Sequence, residues 1–357
     1  MTSWRLEPRG VASRAWIWWS PVVALALTLA AGALLFAILG TNPWQGLSVF
    51  IVAPLSTVSG WSELVLKATP LILCGVGLAV CFRANVWNIG AEGQLIAGAI
   101  AGGGIALLAT TDSSRAWVVA VLVISMVGGA LWAAITAWLR DRYHANEILV
   151  SLMLVYVAQQ LLSWLVQGPW RDSNGYGFPQ SELFASAARV PQIVEGLRVN
   201  IGSIGALATA VAMWGLLART VVGFQLKVVG LAPRAALYAG FSSRRSLWIA
   251  LLISGSLAGL AGGLEVAGPI GQLTSTISPG YGFAAIIVAF VGRLHPIGVV
   301  LASFVMAVFY IGGELAQSRL GLPSALTGVY QGLLLFFLLA CDTLIHYRVR
   351  RYFAATA

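Results

Sequence analysis

Three histidines, His144, His295 and His346, are the first candidates for proton transfer or metal ligation. Each flanks the end of an apolar run beside basic residues, and none belongs to an HExxH pair on one helix face. No serine within an apolar run has a histidine or lysine at matching depth. The histidines therefore read as interfacial residues, an intramembrane enzyme is disfavoured, and no catalytic or metal-binding residue is assigned. A phosphate-cradling loop is missing too. The chain has only two lysines, Lys67 and Lys227, and neither follows the GxxxxG spacing of a P-loop. If ATP drives this protein, another chain binds the nucleotide and its Mg, and this chain carries no cofactor of its own.

Polar residues inside apolar runs are costly in lipid and therefore informative. Asn88, Glu92 and Gln94 cluster where NIGAEGQ leads into LIAGAIAGGG. If that stretch is helical throughout, Asn88 and Glu92 share a face at i, i+4, and a carboxylate near a helix start is favoured by the helix dipole. They read equally as a gating element or as a capped helix start. Further on, SPGYGF puts Tyr281 and Phe283 before a second short apolar helix. Glu265 sits at the end of an apolar run, where a solvated interfacial carboxylate competes with a role in a pathway. Lys67 is close enough to a run's end to snorkel and receives no role. Glu314 and Asp342 read as interfacial.

The elements that must hold these residues are membrane-spanning helices. Of the 357 residues, 59% are hydrophobic and 9% charged, with 40 Gly and 14 Trp, and the mean hydropathy is +0.87. A soluble domain carries about a quarter charged residues, and disorder needs the opposite balance. Ten apolar runs read as spans: Pro21–Leu39, Leu64–Phe82, Ala91–Ala109, Ala116–Leu139, Ile148–Val166, Ile201–Leu217, Leu247–Ala267, the short Tyr281–Val291, Ile297–Gly313 and Ser324–Cys341. An even count leaves both termini on one side. Of the 21 Lys and Arg, fifteen then fall on the terminal side, five on the other, and Lys67 within a span. By the positive-inside rule the termini are cytoplasmic. This distribution also explains the net charge of +9 without a nucleic-acid partner. The first run, preceded by Trp16, Trp18 and Trp19, reads as a retained anchor rather than a cleaved signal. Cys74 and Cys81 lie about 10 Å apart along one helix, too far for a disulfide; with Cys341 they read as small apolar core residues.

The fold class is thus an all-α polytopic membrane protein, one transmembrane domain over residues 1–357. A first half covers about 20–166, an outer segment about 167–200, and a second half about 201–345 with a basic cytoplasmic loop at about 219–246. NIGAEGQ and SPGYGF each place a Gly-rich break before a short apolar helix, from opposite sides. That arrangement is the sign of inverted-topology repeats, in which interrupted helices line a pathway. In the basic loop, Arg234–Ala239 reads as a short helix opened by Pro233. The runs GAIAG (Gly98–Gly102) and GSLAGLAGG (Gly255–Gly263) read as small-residue faces for close helix packing.

FRANVWNIGAEGQLIAGAIAG resembles the permease subunits of bacterial ABC importers for simple sugars and nucleosides, the branched group that includes ribose permeases. It is most similar to the nucleoside type served by basic-membrane-protein lipoproteins. Further matches follow in family order: Ala68–Asn85, Asn146–Ala158, Gly168–Asp172, Val229–Phe241, Ser254–Gly268 and Gly280–Ser303. Where the family carries an acidic residue after GYGF, this chain has Ala284, so no carboxylate role is carried over there. The resemblance implies a multi-pass permease of the bacterial cytoplasmic (inner) membrane that imports a nucleoside or simple sugar by alternating access. Its implied partners are a second, often non-identical permease subunit and a cytoplasmic ATPase, commonly with two fused nucleotide-binding domains. A lipid-anchored external binding protein completes the set. Gly230, Leu231, Pro233, Arg234, Ala235, Ala236, Tyr238, Ala239 and Gly240 correspond to the coupling helix that docks on the ATPase. Pro169, Trp170, Arg171 and Asp172 would face the binding protein. Asn88, Glu92, Gln94, Glu265, Tyr281 and Phe283 would line or gate the path. The alternative, an ion-coupled secondary transporter of small polar solutes, wants a charge relay within the spans, and none is evident in the sequence.

Overall fold

The computed structural model describes residues 2–10, 13–173, 175, 177–194 and 196–353. In chain order the elements are β1 (Thr2–Pro8), α1 (Arg14–Ile38), α2 (Pro43–Leu47), α3 (Ala53–Leu55), α4 (Val58–Arg83), α5 (Ala91–Ala106), α6 (Ala116–Tyr143) and α7 (Glu147–Gln167). There follow α8 (Ile201–Arg219), α9 (Val221–Leu231), α10 (Pro233–Tyr238), α11 (Ser243–Glu265), α12 (Tyr281–Val291), α13 (Pro296–Leu320), α14 (Leu326–His346) and β2 (Tyr347–Phe353). Short π-helical turns at Ser48–Val52 and Val266–Ile270 join α2 to α3 and extend α11. Local chemistry starts several helices. Ser13, Asn146, Asn200 and Ser242 each accept a backbone N–H at the first turn of α1, α7, α8 and α11, filling donors that have no partner within the helix.

All ten apolar runs named above form helices, but among the described residues only eight helices are long and apolar enough to cross a bilayer alone. The other two are α5 and α12. With 16 and 11 residues they reach about 24 and 16 Å, short of the roughly 30 Å hydrocarbon core. Both are largely buried in protein, which is where an incomplete helix at membrane depth is tolerated. Three further pieces have no counterpart in the sequence reading: the helical stretch Pro43–Leu55, the helix α9 and the strand pair.

The chain divides into two compact units, Met1–Gly60 with Val308–Ala357, and Trp61–Ala307. In the first, β1 and β2 pair antiparallel, with Glu7 opposite Arg348, so the two ends of the chain lie side by side. Glu7 Oε2 bonds Arg348 Nη2 at 3.0 Å and Arg350 Nη1 at 3.3 Å. Helix α1 packs along α14, and Phe36, Phe50, Phe309 and Tyr330 form an aromatic cluster with Phe50 stacked on Tyr330 at 4.2 Å. Ser20 Oγ donates to Asp342 Oδ1 at 2.6 Å, so Asp342 also serves a helix contact.

In the second unit α5, α6 and α11 form the core. A Cβ on Gly98 of α5 would collide with the backbone of Gly259 on α11, and a Cβ on Gly259 with the backbone of Ser125 and Gly129 on α6. The small-residue runs therefore pack within this chain. The segment between α7 and α8 is less open than its composition implies. Ser181 N–H donates to Leu273 O at 2.8 Å, Phe184 N–H to Gly271 O at 2.9 Å, and Val190 N–H to Ala267 O at 2.8 Å. Phe184, Ala187, Ala188 and Val190 are buried. The segment is stitched onto the chain that follows α11, because its apolar side chains need cover and its backbone finds unpaired carbonyls there.

Candidate functional site

The two Gly-rich breaks meet. Helix α5 starts at Ala91 rather than at Asn88, so Asn88 lies in the lead-in and does not share a helix face with Glu92. Its partner is Gln94 instead: Asn88 Nδ2 donates to Gln94 Oε1 and Gln94 Nε2 to Asn88 Oδ1, both at 3.0 Å. Asn88 Nδ2 also donates to Ser254 Oγ on α11 at 3.0 Å, and Asn88 Oδ1 accepts Gly90 N–H at 3.1 Å. Both amides are buried and bonded, which makes them a lock on the start of α5. Glu92, also buried, reaches across to α12. Gly282 N–H donates to Glu92 Oε2 at 2.6 Å, and the Ser278 hydroxyl and Gly280 N–H also bond to Glu92.

Gly280 adopts φ +94° ahead of α12, a conformation open to glycine. At Gly282 a Cβ would collide with the backbone of Ala91 and Glu92. The starts of two interrupted helices are thus pressed together, with the carboxylate of one placed at the positive end of the other. Ala284 is buried, so the carboxylate at this helix start comes from α5 and not from α12. Phe283, expected beside Tyr281, turns away and is 40% exposed. Successive helical residues diverge by about 100°, so it cannot share Tyr281's inward face.

Tyr281, fully buried, opens onto a second feature. A cavity of about 260 Å³ is lined by Glu63, Leu66, Lys67, Arg198, Glu265 and Tyr281, with Thr276 and further apolar residues. Two charged residues from the sequence reading lie here. Glu265 is partly exposed and lines the cavity with Lys67, Arg198 and Glu63. Lys67, expected to snorkel, has its Nζ 5.8 Å from the centre of the Tyr281 ring. Arg198 Nη1 bonds Glu63 Oε1 at 3.2 Å.

Helix irregularities surround the cavity. Pro70 has no N–H to give the Leu66 carbonyl, and Pro269 interrupts the turn after Glu265. Sequence reasoning missed Glu63, Lys67 and Arg198 as one site. Glu63 and Lys67 stand at i, i+4 just before Pro70, a signal that was available. Arg198, more than 130 residues away, carried none.

At α10 the expected short helix is present. Gly240 takes φ +75° and Phe241 N–H returns to Ala236 O at 2.9 Å, the bond that closes a helix ending at glycine. Tyr238 is 95% exposed, with Leu231 and Leu237 also open, and Arg234, Ala235 and Ala239 are exposed. Ala236 is buried, and Gly230 packs on the Arg83 carbonyl, so these two hold the helix to its own body rather than offering surface. In the segment after α7, Pro169 and Arg171 are exposed, whereas the Trp170 ring packs on Gly104 of α5 and Asp172 N–H donates to Gln180 O at 2.9 Å. His295 lies in the turn between α12 and α13, where burial and the nearby Arg83 charge hold its imidazole below the usual range.

Apolar helices long enough to cross a membrane, two short interrupted helices whose starts meet, and a cavity lined by four charged side chains mark a membrane protein built to hold polar groups within its helices. The family model described as "Branched-chain amino acid transport system / permease component" matches residues 60–339, and the chain belongs to that family. It is 35% identical to the glucose ABC transporter permease protein TsgB13 of Haloferax volcanii, over 97% of this chain and 93% of that one. It is 30% identical to the guanosine ABC transporter permease protein NupP of Bacillus subtilis, over 89% and 91%. With the nucleoside ABC transporter permease protein NupB of Lactococcus lactis it shares 27% over 89% of each chain. The protein is therefore a multi-pass permease subunit of the cytoplasmic membrane, of the kind that works with an ATPase and a substrate-binding protein. Family membership sets aside the ion-coupled secondary carrier.

Proposed function

We propose that this chain is the membrane subunit of an ATP-driven importer that moves a nucleoside or simple sugar by alternating access. The glucose and nucleoside names of its relatives support that substrate class over the amino acids in the family description. The observation that carries the coupling is α10, a short helix presenting Tyr238 almost fully to the surroundings. An exposed aromatic ring on a capped helix is the anchor that a partner pocket takes up. Gly230–Gly240 would sit on a cytoplasmic ATPase, whose two nucleotide-binding domains are fused in one chain and hold the ATP and Mg. Movement there would pass into α11, whose Arg244 and Trp248 both bond Asp141 on α6.

The excess of cations on the α10 side supports a cytoplasmic position for that helix and for the paired termini. Pro169 and Arg171 would then meet an external substrate-binding lipoprotein, with Trp170 and Asp172 holding that contact in place. A second, non-identical permease subunit would complete the path. The Glu92–Gly282 junction would be the gate, joining the two half-repeats at their interrupted helices, while Asn88 and Gln94 hold its α5 side.

Tyr238→Ala tests the coupling. Loss of an interface anchor worth about 2 kcal/mol weakens ATPase binding roughly 30-fold. Substrate-stimulated ATP hydrolysis in the reconstituted complex should fall with it, while the melting temperature of the isolated chain stays put. Unaltered ATPase capture by the variant would remove α10 from this role.

A further inference from the structure

We propose that the cavity between Lys67 and Glu265 is a binding subsite for one polyhydroxylated sugar ring, and that any base attached to the ring stays outside it. The inference rests on the transport function proposed above and assigns the part of the substrate that is read. Its walls carry two carboxylates, Glu63 and Glu265, and two cations, Lys67 and Arg198. By formal charge the two carboxylates and two cations balance, so the set has no excess of one sign with which to gather an ion. Two of its members are already paired, Glu63 with Arg198 at 3.2 Å, and Glu265 lines the same cavity as both cations.

Opposed charges of this kind suit hydroxyl groups. A hydroxyl donates to a carboxylate and accepts from an ammonium at once, so neighbouring hydroxyls on a ring bridge such pairs without separating them. A zwitterionic amino acid must part the pairs to use them, which costs desolvated ion-pair energy.

Size and shape point the same way. About 260 Å³ falls below the roughly 300–1,000 Å³ of sites that enclose a drug-sized ligand. The space suits a single ring. Among the described lining residues Tyr281 is the one aromatic side chain, and the Lys67 ammonium already lies over its ring. A base seeking a bare stacking surface does not find it here. Tyr281 opens the short helix α12, and Pro269 sits in the π-helical turn after α11, so the cavity lies against irregular helix ends of the sort that hold substrates in membrane carriers. Glucose and guanosine, named for two different relatives, have a hydroxylated ring in common.

The test uses the full chain in lipid nanodiscs and saturation-transfer NMR with guanosine, D-ribose, D-glucose, guanine and L-leucine as probes. For guanosine, transfer should fall mainly on the ribose protons rather than the base proton. D-ribose and D-glucose should displace it, and guanine and L-leucine should not. Lys67→Met and Glu265→Gln should each weaken binding about tenfold, the loss of one hydrogen bond to a charged group, with Lys67→Arg partly restoring it. The competition series on the unaltered chain decides the matter even if a variant fails to fold. Transfer centred on the base, or displacement by guanine or L-leucine, overturns the inference. The absence of any transfer, while the assembled transporter still imports guanosine or glucose, overturns it also and leaves the transport function standing. Failure of that transporter to import either compound overturns the function itself.

Discussion

Two polar clusters sit next to each other in the same unit and behave oppositely. In the junction, Asn88, Gln94 and Glu92 are buried, and their side chains bond one another, Ser254 or the start of α12. In the cavity, Glu63, Lys67, Arg198 and Glu265 are partly exposed, and their charges line open space. The two meet at adjacent residues, Tyr281 in the cavity wall and Gly282 on the Glu92 carboxylate. A buried polar group without partners is expensive, so a saturated cluster records what the fold requires. A partly exposed cluster keeps its capacity for something else. Residue type alone does not separate them: both contain a glutamate near the end of an apolar helix.

Three substitutions press on that difference. The largest effect is expected for Gly282→Val. A side chain there has only the backbone of Ala91 and Glu92 to displace, and overpacking of so tight a contact costs about 3 kcal/mol or more. The variant should be lost from the folded fraction in size-exclusion chromatography or melt well below the parent. Normal yield and melting would mean that the two helix starts are not pressed together. Next comes Asn88→Ala, which leaves the Gln94 amide and the Gly90 N–H without their partner inside the protein. A loss of about 2 kcal/mol should appear as a lowered melting temperature, and Asn88→Asp, which retains the acceptor, should lose less. Smallest is Glu63→Gln. Its ion pair with Arg198, whose side chain is 55% exposed, is worth less than about 1 kcal/mol and fades with added salt. A melting loss as large as that of Asn88→Ala would erase the distinction between the clusters.

Much of the fold was legible because its signal is local. Runs of apolar residues announce helices whatever surrounds them, and ten of ten formed. Length was the weaker signal: α5 and α12 are apolar enough to read as spans, and although α12 already read as short, α5 also stops short of its expected end. Their burial in neighbouring helices, not their composition, makes that tolerable. Pro43–Leu55 and α9 were missed because each is shorter than a span. Asn88 was singled out, but the helix face it was given with Glu92 does not form, and it pairs with Gln94. The lead-in is not helical until Ala91, and periodicity cannot say where a helix begins to within three residues.

The amino-acid sequence by itself determined the membrane environment, the order of the helices, the capped starts of α1, α7, α8 and α11, and the short helix from Pro233. Each of these depends on neighbours a few residues apart. The tertiary structure alone decided that Glu92 caps a helix 190 positions away, that Arg198 joins Glu63 across 135, and that Lys67 lies beside the Tyr281 ring. Such contacts depend on how helices cross, which is set by packing summed over the whole bundle and leaves no mark on any one stretch of residues.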